Sequence, residues 1–330
     1  MTMCSLKKAN RQTGLALVEL MIAMLISLFL LGGMLQVFNS SRLTYRIHES
    51  TARMQETGRM ALEVLSRDIR MAGFWGCASD SANVINNLNP SGTGYIDFAA
   101  GGLVGVEGAS GAPDAFTVRG GIDSGLGVEP PYGPQTAANV AVATGNGFEA
   151  GDILLISDCT NGDIFQLSNS TADASGTLVH VTGAGSPGNV NVTNPTCFGG
   201  STHCLSKIYG ADASVYSASE TSYQINTGFS GEPALFRDGV EFLEGVEDLQ
   251  ILYGEDTNGS GVANYYVPAS QVADMTRVIS VRFAVVVRSL DENLSGGVAQ
   301  GYTVLGAAQT APDTRLRQVY TTTVSIRNRL

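Results

Sequence analysis

One carboxylate stands inside the most apolar stretch of the chain. Residues 15–38 read LALVELMIAMLISLFLLGGMLQVF, and Glu19 is their single charge. A carboxylate in an apolar span is costly, so it is a candidate functional group by default. Two readings suit it: a functional group, or a side chain one turn from the helix start that reaches headgroups or water. Five cysteines form the second chemical set: Cys4, Cys77, Cys159, Cys197 and Cys204. Cys4 lies in a basic N-terminal segment, and the other four allow three disulfide pairings. The short Cys197–Cys204 spacing favours that pair and leaves Cys77 with Cys159. Zinc is the competing chemistry, but no CxxC pair is present and only His203 lies near a cysteine.

Hydrolytic and phosphoryl-transfer chemistry find no constellation. The three histidines, His48, His180 and His203, are dispersed, and no HExxH, GxSxG or P-loop motif occurs. The numerous acids are scattered in the manner of a solvated surface. No cofactor is expected, and the chain does not read as an enzyme. One metal candidate stands apart. Asp256, Asn258 and Ser260 place oxygen side chains at alternate positions beside Gly259 and Gly261, like the first half of a calcium loop. The twelfth position, where a bidentate Glu belongs, is Val267. The same residues are ordinary turn formers, and a turn is the expected outcome.

The element that must position Glu19 is a helix. At about 1.5 Å per residue, residues 15–38 span roughly 36 Å, enough for a hydrocarbon core of about 30 Å. Residues 1–14 contain Lys7, Lys8 and Arg11 and no acid, which places them on the cytoplasmic side. The rest is then exported to an oxidising compartment, where an even cysteine count favours disulfides. An ordinary secretory signal has a shorter apolar region followed by a small-residue cleavage site. Here Gly14 precedes the run instead, and a cut there removes residues 1–14 and keeps the helix.

Residues 39–72 continue the helix amphipathically. Leu43, Ile47, Met54, Ala61, Leu65, Ile69 and Ala72 share one face. Glu49/Arg53, Arg59/Glu63 and Glu63/Arg67 fall at i,i+4, each pair contributing about 0.2–0.5 kcal/mol. Gly32, Gly33 and Gly58 are potential soft points, and Gly73 is the expected stop. Beyond it, residues 73–330 form a β-rich head. Strands are expected at Ala115–Arg119, Val140–Thr144, Asp152–Ser157, Ile164–Leu167, Leu178–Thr182, Thr221–Asn226, Val246–Tyr253, Val278–Arg288 and Val319–Arg327. Residues 81–112 and 183–202 read as long surface loops, and Trp75 beside Phe74 as core packing at the helix exit. The fold class is α+β. Of the net charge of −11, residues 1–14 carry +3 and residues 15–72 carry +1, so the head carries −15. A head that acidic excludes nucleic-acid binding by a broad basic surface.

The string Gly14-Leu15-Ala16-Leu17-Val18-Glu19-Leu20-Met21-Ile22-Ala23 resembles the class III signal of type IV prepilins. The family usually has Phe and Thr at the first two mature positions, where this chain has Leu15 and Ala16. The resemblance implies cleavage by a prepilin peptidase between Gly14 and Leu15, N-methylation of Leu15, and Glu19 as the fifth mature residue. Glu19 would then dock subunits by pairing with the α-amino group of a neighbour, which fixes axial register.

Along its length the chain resembles the PilW-type minor pilins. Four segments carry this: Asp68 to Cys77, Gly151 to Cys159, Gly245 to Gly254 and Thr321 to Arg329. The resemblance implies a pilin-like architecture and a minor subunit that helps start pilus assembly. Its partners would be other minor and major pilins, the prepilin peptidase, the inner-membrane assembly platform and membrane lipid. Its place would be the inner membrane, crossed once with a periplasmic head, and the pilus, near the tip. Twitching motility, adhesion or DNA uptake would follow downstream. The competing readings are a type II secretion pseudopilin and a membrane-anchored adhesin or exported enzyme that uses the helix only as an anchor.

Overall fold

A computed structural model of the chain describes residues 15–78, 83–109, 111–133, 138–183, 185–190 and 205–329. Helix α1 spans Leu15–Met71 as one 57-residue element, about 86 Å long at 1.5 Å per residue. No proline interrupts it, and it runs unbroken through Gly32 and Gly33. Ser27 and Thr44 return their hydroxyls to the carbonyls of Ala23 and Ser40, at 2.7 and 2.9 Å, which disposes of two polar groups on the rod. The helix ends at Gly73, whose φ of +70° suits the left-handed turn after a C-terminus. The Asn328 side-chain amide lies 3.4 Å from the carbonyl oxygens of Met71 and Ala72.

The head's strands are β1 (Val84–Asn86), β2 (Leu103–Val106), β3 (Ala115–Gly127), β4 (Asn139–Ala141), β5 (Ile153–Ser157), β6 (Gly162–Gln166), β7 (Thr177–Val179), β8 (Ser214–Thr227), β9 (Pro233–Arg237), β10 (Val240–Glu244), β11 (Val246–Glu255), β12 (Tyr265–Val267), β13 (Val278–Arg288), β14 (Gly301–Val304), β15 (Ala307–Thr310) and β16 (Arg317–Ser325). The larger sheet runs β1-β6-β5-β8-β3-β2, with β9 joined to β8 and β10 to β9. The long β8 makes this possible. Its residues Ser214–Ser217 pair with β5, and Tyr223–Thr227 pair with β9. A four-stranded antiparallel sheet runs β12-β11-β13-β16. The architecture is α+β, as the sequence reading expects.

The main core forms where the second half of α1 meets both sheets. Met54, Ala61, Leu65, Ile69 and Ala72 are buried against Phe116, Tyr223, Ile251, Phe283 and Val324 among others. Leu43 and Ile47, expected on the same face, are exposed and half-buried, because the head's apolar core meets the helix only from Met54 onward. Strand β13 is buried on both faces. Val281, Phe283, Val285 and Val287 face the main core, while Ala284 and Val286 meet Val304 of the β14–β15 hairpin. Two-sided cover accounts for its uninterrupted apolar sequence. A second core lies among β4, β5, β6 and β7. A third gathers Trp75, Leu88, Phe98, Leu155 and Ile164 at the helix exit.

Three sequence expectations are corrected. Residues 81–112 are not one long loop, since they carry β1, β2 and a short 3-10 turn at Phe98–Ala100. Gly58 is not a soft point. A Cβ there would overlap the ring of Tyr320, whose hydroxyl donates to the Met54 carbonyl at 3.0 Å. Gly58 is instead the gap through which β16 lies against the helix. Of the expected i,i+4 pairs only Glu49/Arg53 forms, at 3.3 Å. Arg67 turns to Asp68, also at 3.3 Å, and Glu63 joins neither arginine among the described contacts. Of the other expected loop, residues 191–202 lie outside the described residues.

Candidate functional site

The first half of α1 is predominantly apolar on every side, and residues 17–46 are exposed along its length. Leu17, Leu20, Met21, Ile22, Leu28, Phe29 and Phe38 are between 54 and 78% exposed. This is the one helix among the described residues long and apolar enough to cross a membrane, by length and composition. Glu19 lies on this rod, exposed, with no hydrogen-bond or ion-pair partner among the described residues. Leu15 is the first residue of the helix, and Gly14 lies outside the described residues. So large an apolar surface, on the order of twenty residues around the full circumference, is stable in water only if something covers it.

The rod is rigidly mounted. Asp68, near the helix end, accepts hydrogen bonds from Tyr223 Oη at 2.5 Å and from Arg237 Nη2 at 3.2 Å. Burial, and then the Asp68 carboxylate, push the Tyr223 hydroxyl pKa well up. Behind the helix stop, the backbones of Gly73 and Gly102 come so close that a Cβ at Gly102 would overlap Gly73. The Gly73 amide donates to the Arg119 carbonyl at 2.8 Å. Trp75 is buried edge-to-face against Phe98, and Phe74 meets Tyr216 in the same way, so both are packing residues of the helix exit.

The cysteines act at this junction. Cys77 and Cys159 form a disulfide, with Cα atoms 4.4 Å apart. It joins the segment just past α1 to the turn between β5 and β6. Cys197, Cys204 and His203 lie outside the described residues. Beside Cys159, the Asp158 carboxylate is paired with Lys207 and accepts the amides of Thr160 and Asn161, both at 2.8 Å. Burial opposes its charge, but Lys207 and these amides prevail and hold its pKa far below the usual range. Asp163 on β6 is wholly buried. It accepts from Asn87 Nδ2 at 2.9 Å, Ser206 Oγ at 2.5 Å and Tyr209 Oη at 2.7 Å. Burial raises its pKa.

The Asp256 loop has the geometry of a turn. The Asp256 carboxylate accepts the amides of Ser260 and Gly261, at 3.1 and 2.7 Å. Asn258 Oδ1 accepts the Ser260 amide at 3.1 Å. Carboxylate and amide oxygens accepting N–H groups two to five residues on are the hydrogen bonds of an Asx turn. Among the described residues no group of three or more His, Cys, Asp or Glu is placed to hold a metal.

A charge cluster that no local pattern announces closes the helix-proximal end of the four-stranded sheet. Arg317, its side chain fully buried, donates to Glu247 at 2.5 and 2.7 Å and to Asp313 at 2.6 Å. Arg288 joins Glu232 and Glu247, and Arg315 joins Glu232 at 3.0 Å and Glu292 at 3.2 Å. The hydrogen bond from Arg317 is the main reason that the Asp313 carboxyl is lowered to about 2. These arginines fasten β11, β13 and β16 to the β8–β9 turn.

A long, exposed apolar helix thus stands on an α+β head. Residues 220–328 match the family model described as Type IV Pilus-assembly protein W. The match runs from Glu220 within β8 to Asn328 and includes Gly245–Gly254 and most of the C-terminal segment, so the PilW-type resemblance is shown over these residues. In three dimensions the chain aligns with the type IV-like pilin TTHA1219 from Thermus thermophilus. The alignment has 12% identity and covers 84% of this chain and 97% of that one, with a TM-score of 0.35. No curated protein sequence matches the chain.

Proposed function

We propose that this chain is a minor pilin that supports the start of type IV pilus assembly, docking through α1. The observation that carries the reading is Glu19: a lone carboxylate on the exposed apolar half of α1, with no partner among the described residues. Cleavage between Gly14 and Leu15 would remove the basic residues 1–14 and free an α-amino group at Leu15. In a bundle of such helices that group is the cation available to a neighbour's Glu19, and a buried carboxylate without one is strongly destabilising. Pairing would therefore select one axial offset between subunits. Residues 15–38 would serve in turn as membrane anchor and as packing core, residues 39–72 as the stem, and residues 73–330 as the periplasmic head. The PilW match supports the assignment to pilus assembly, with other pilins as partners.

The test is Glu19→Ala in cells that make the pilus. The expected outcome is a processed protein that stays in the membrane fraction while surface pili are lost. Normal piliation with Glu19→Ala would remove the docking role.

A further inference from the structure

We propose that Phe38, Arg42 and Tyr45 form a collar that binds lipid phosphate at the exported face of the membrane and fixes the depth of α1. The proposal deepens the reading above and rests on it, since it takes residues 15–38 as the membrane span. The apolar run ends at Phe38, which is 56% exposed, and Tyr45 is 70% exposed. Arg42 stands between them, one turn after Phe38 and less than one turn before Tyr45, with its guanidinium carbon 5.6 Å from the Phe38 ring centre. Positions 38, 42 and 45 lie on one side of a helix. An aromatic and an arginine at the edge of an apolar span are the side chains that settle at the headgroup level.

Charge singles out Arg42. Arg46 is 3.5 Å from Asp291, and Arg53 is 3.3 Å from Glu49. Of the three arginines from Phe38 to Arg53, only Arg42 has no carboxylate partner among the described residues. The Arg46–Asp291 pair, with Ser50 Oγ also 3.5 Å from Asp291, is the head's membrane-side contact with the helix. Phe38 and Arg46 are about 12 Å apart along the axis. That interval suits a headgroup layer of roughly 5–8 Å on each side of the hydrocarbon core. Arg42 therefore lies in the gap between head and membrane, where its planar fork can take two phosphate oxygens at once. The head, at −15, is repelled by an anionic surface, so the collar supplies the local attraction that holds the stem upright at a set height.

The test uses the full-length chain in phosphatidylcholine vesicles whose acyl chains carry bromine at either a shallow or a deep position. Leu35→Trp reports depth just inside the collar, and Ile26→Trp reports insertion of the mid-span. Trp75, the only native tryptophan, is buried in the head and gives an unquenched background. The expected result is preferential shallow quenching of Leu35→Trp. Adding Arg42→Glu should change its shallow-to-deep ratio by roughly two-fold or more, and Arg42→Lys should largely preserve it. An unchanged ratio with Arg42→Glu overturns the collar. That result together with loss of pili would assign Arg42 to a neighbouring subunit's carboxylate instead. Absence of any quenching of Ile26→Trp would overturn the membrane span itself, and the collar with it.

Discussion

At Glu19 the helix carries a carboxylate that meets no donor among the described residues, whereas at Asp68 it carries one that meets Tyr223, Arg237 and Arg67. The first is free for another molecule, and the second is committed to the head. Asp68→Ala leaves the Tyr223 hydroxyl and the Arg237 guanidinium without their acceptor. It should cost about 1–3 kcal/mol in urea unfolding. Tyr223→Phe, which keeps the stacking on Phe116, should cost only about 1 kcal/mol. Asp313 gives a pH signature. Its folded pKa is depressed to about 2 from 3.8, chiefly by Arg317. A depressed carboxylate contributes stability that is fully present above the unfolded pKa and is lost as pH falls through the folded one. The contribution, roughly 1–2 kcal/mol after allowance for partial exposure, should disappear between about pH 4 and pH 2. Unfolding titrations of the wild type and of Asp313→Asn across that range should converge at the acid end. A constant gap between them would contradict the pairing.

Among the elements, α1 and β16 depend on the missing side chain at Gly58. Gly58→Ala improves helix propensity by about 1 kcal/mol, yet its methyl would overlap the Tyr320 ring. Overpacking costs about 1–3 kcal/mol, so the expected outcome is a lower melting temperature, relieved when Tyr320→Ala is added. The physics also explains what the sequence discloses. Strand β13 is legible residue for residue because both faces are covered and its apolar run is continuous. Strand β8 is legible only at Thr221–Asn226. Its first half, SVYSASE, carries little apolar signal and is held straight by pairing with β3 and β5. Asp68 and the arginine cluster escape detection for another reason. Their partners lie far along the chain, as Arg237 does from Asp68, and no local spacing reports such contacts. Glu19 is the opposite case, because a single charge in an apolar run is a signal in one dimension.

On the scale of the molecule, a disulfide joins the segment just past α1 to the lobe built on β4, β5, β6 and β7. Cys77 and Cys159 enclose a sequence separation of 82 residues, for which chain-entropy reasoning gives about 4–5 kcal/mol of stabilisation. Cys77→Ala with Cys159→Ala should lower unfolding stability by an amount of that order. Proteolysis should then increase first around the β5–β6 turn, while the main core between α1 and the four-stranded sheet stays protected. The whole arrangement, a stem held at Asp68, Gly73 and the disulfide below an exposed apolar rod, suits a subunit whose helix must enter a bundle without disturbing its head. A cut between Gly14 and Leu15 would keep this rod and make it ready for docking. Mass spectrometry of the N-terminal peptide from membrane-extracted protein tests it most directly. The account predicts a mature chain that begins at methylated Leu15; a chain that begins at Met1, or one cut after the apolar segment, would contradict it.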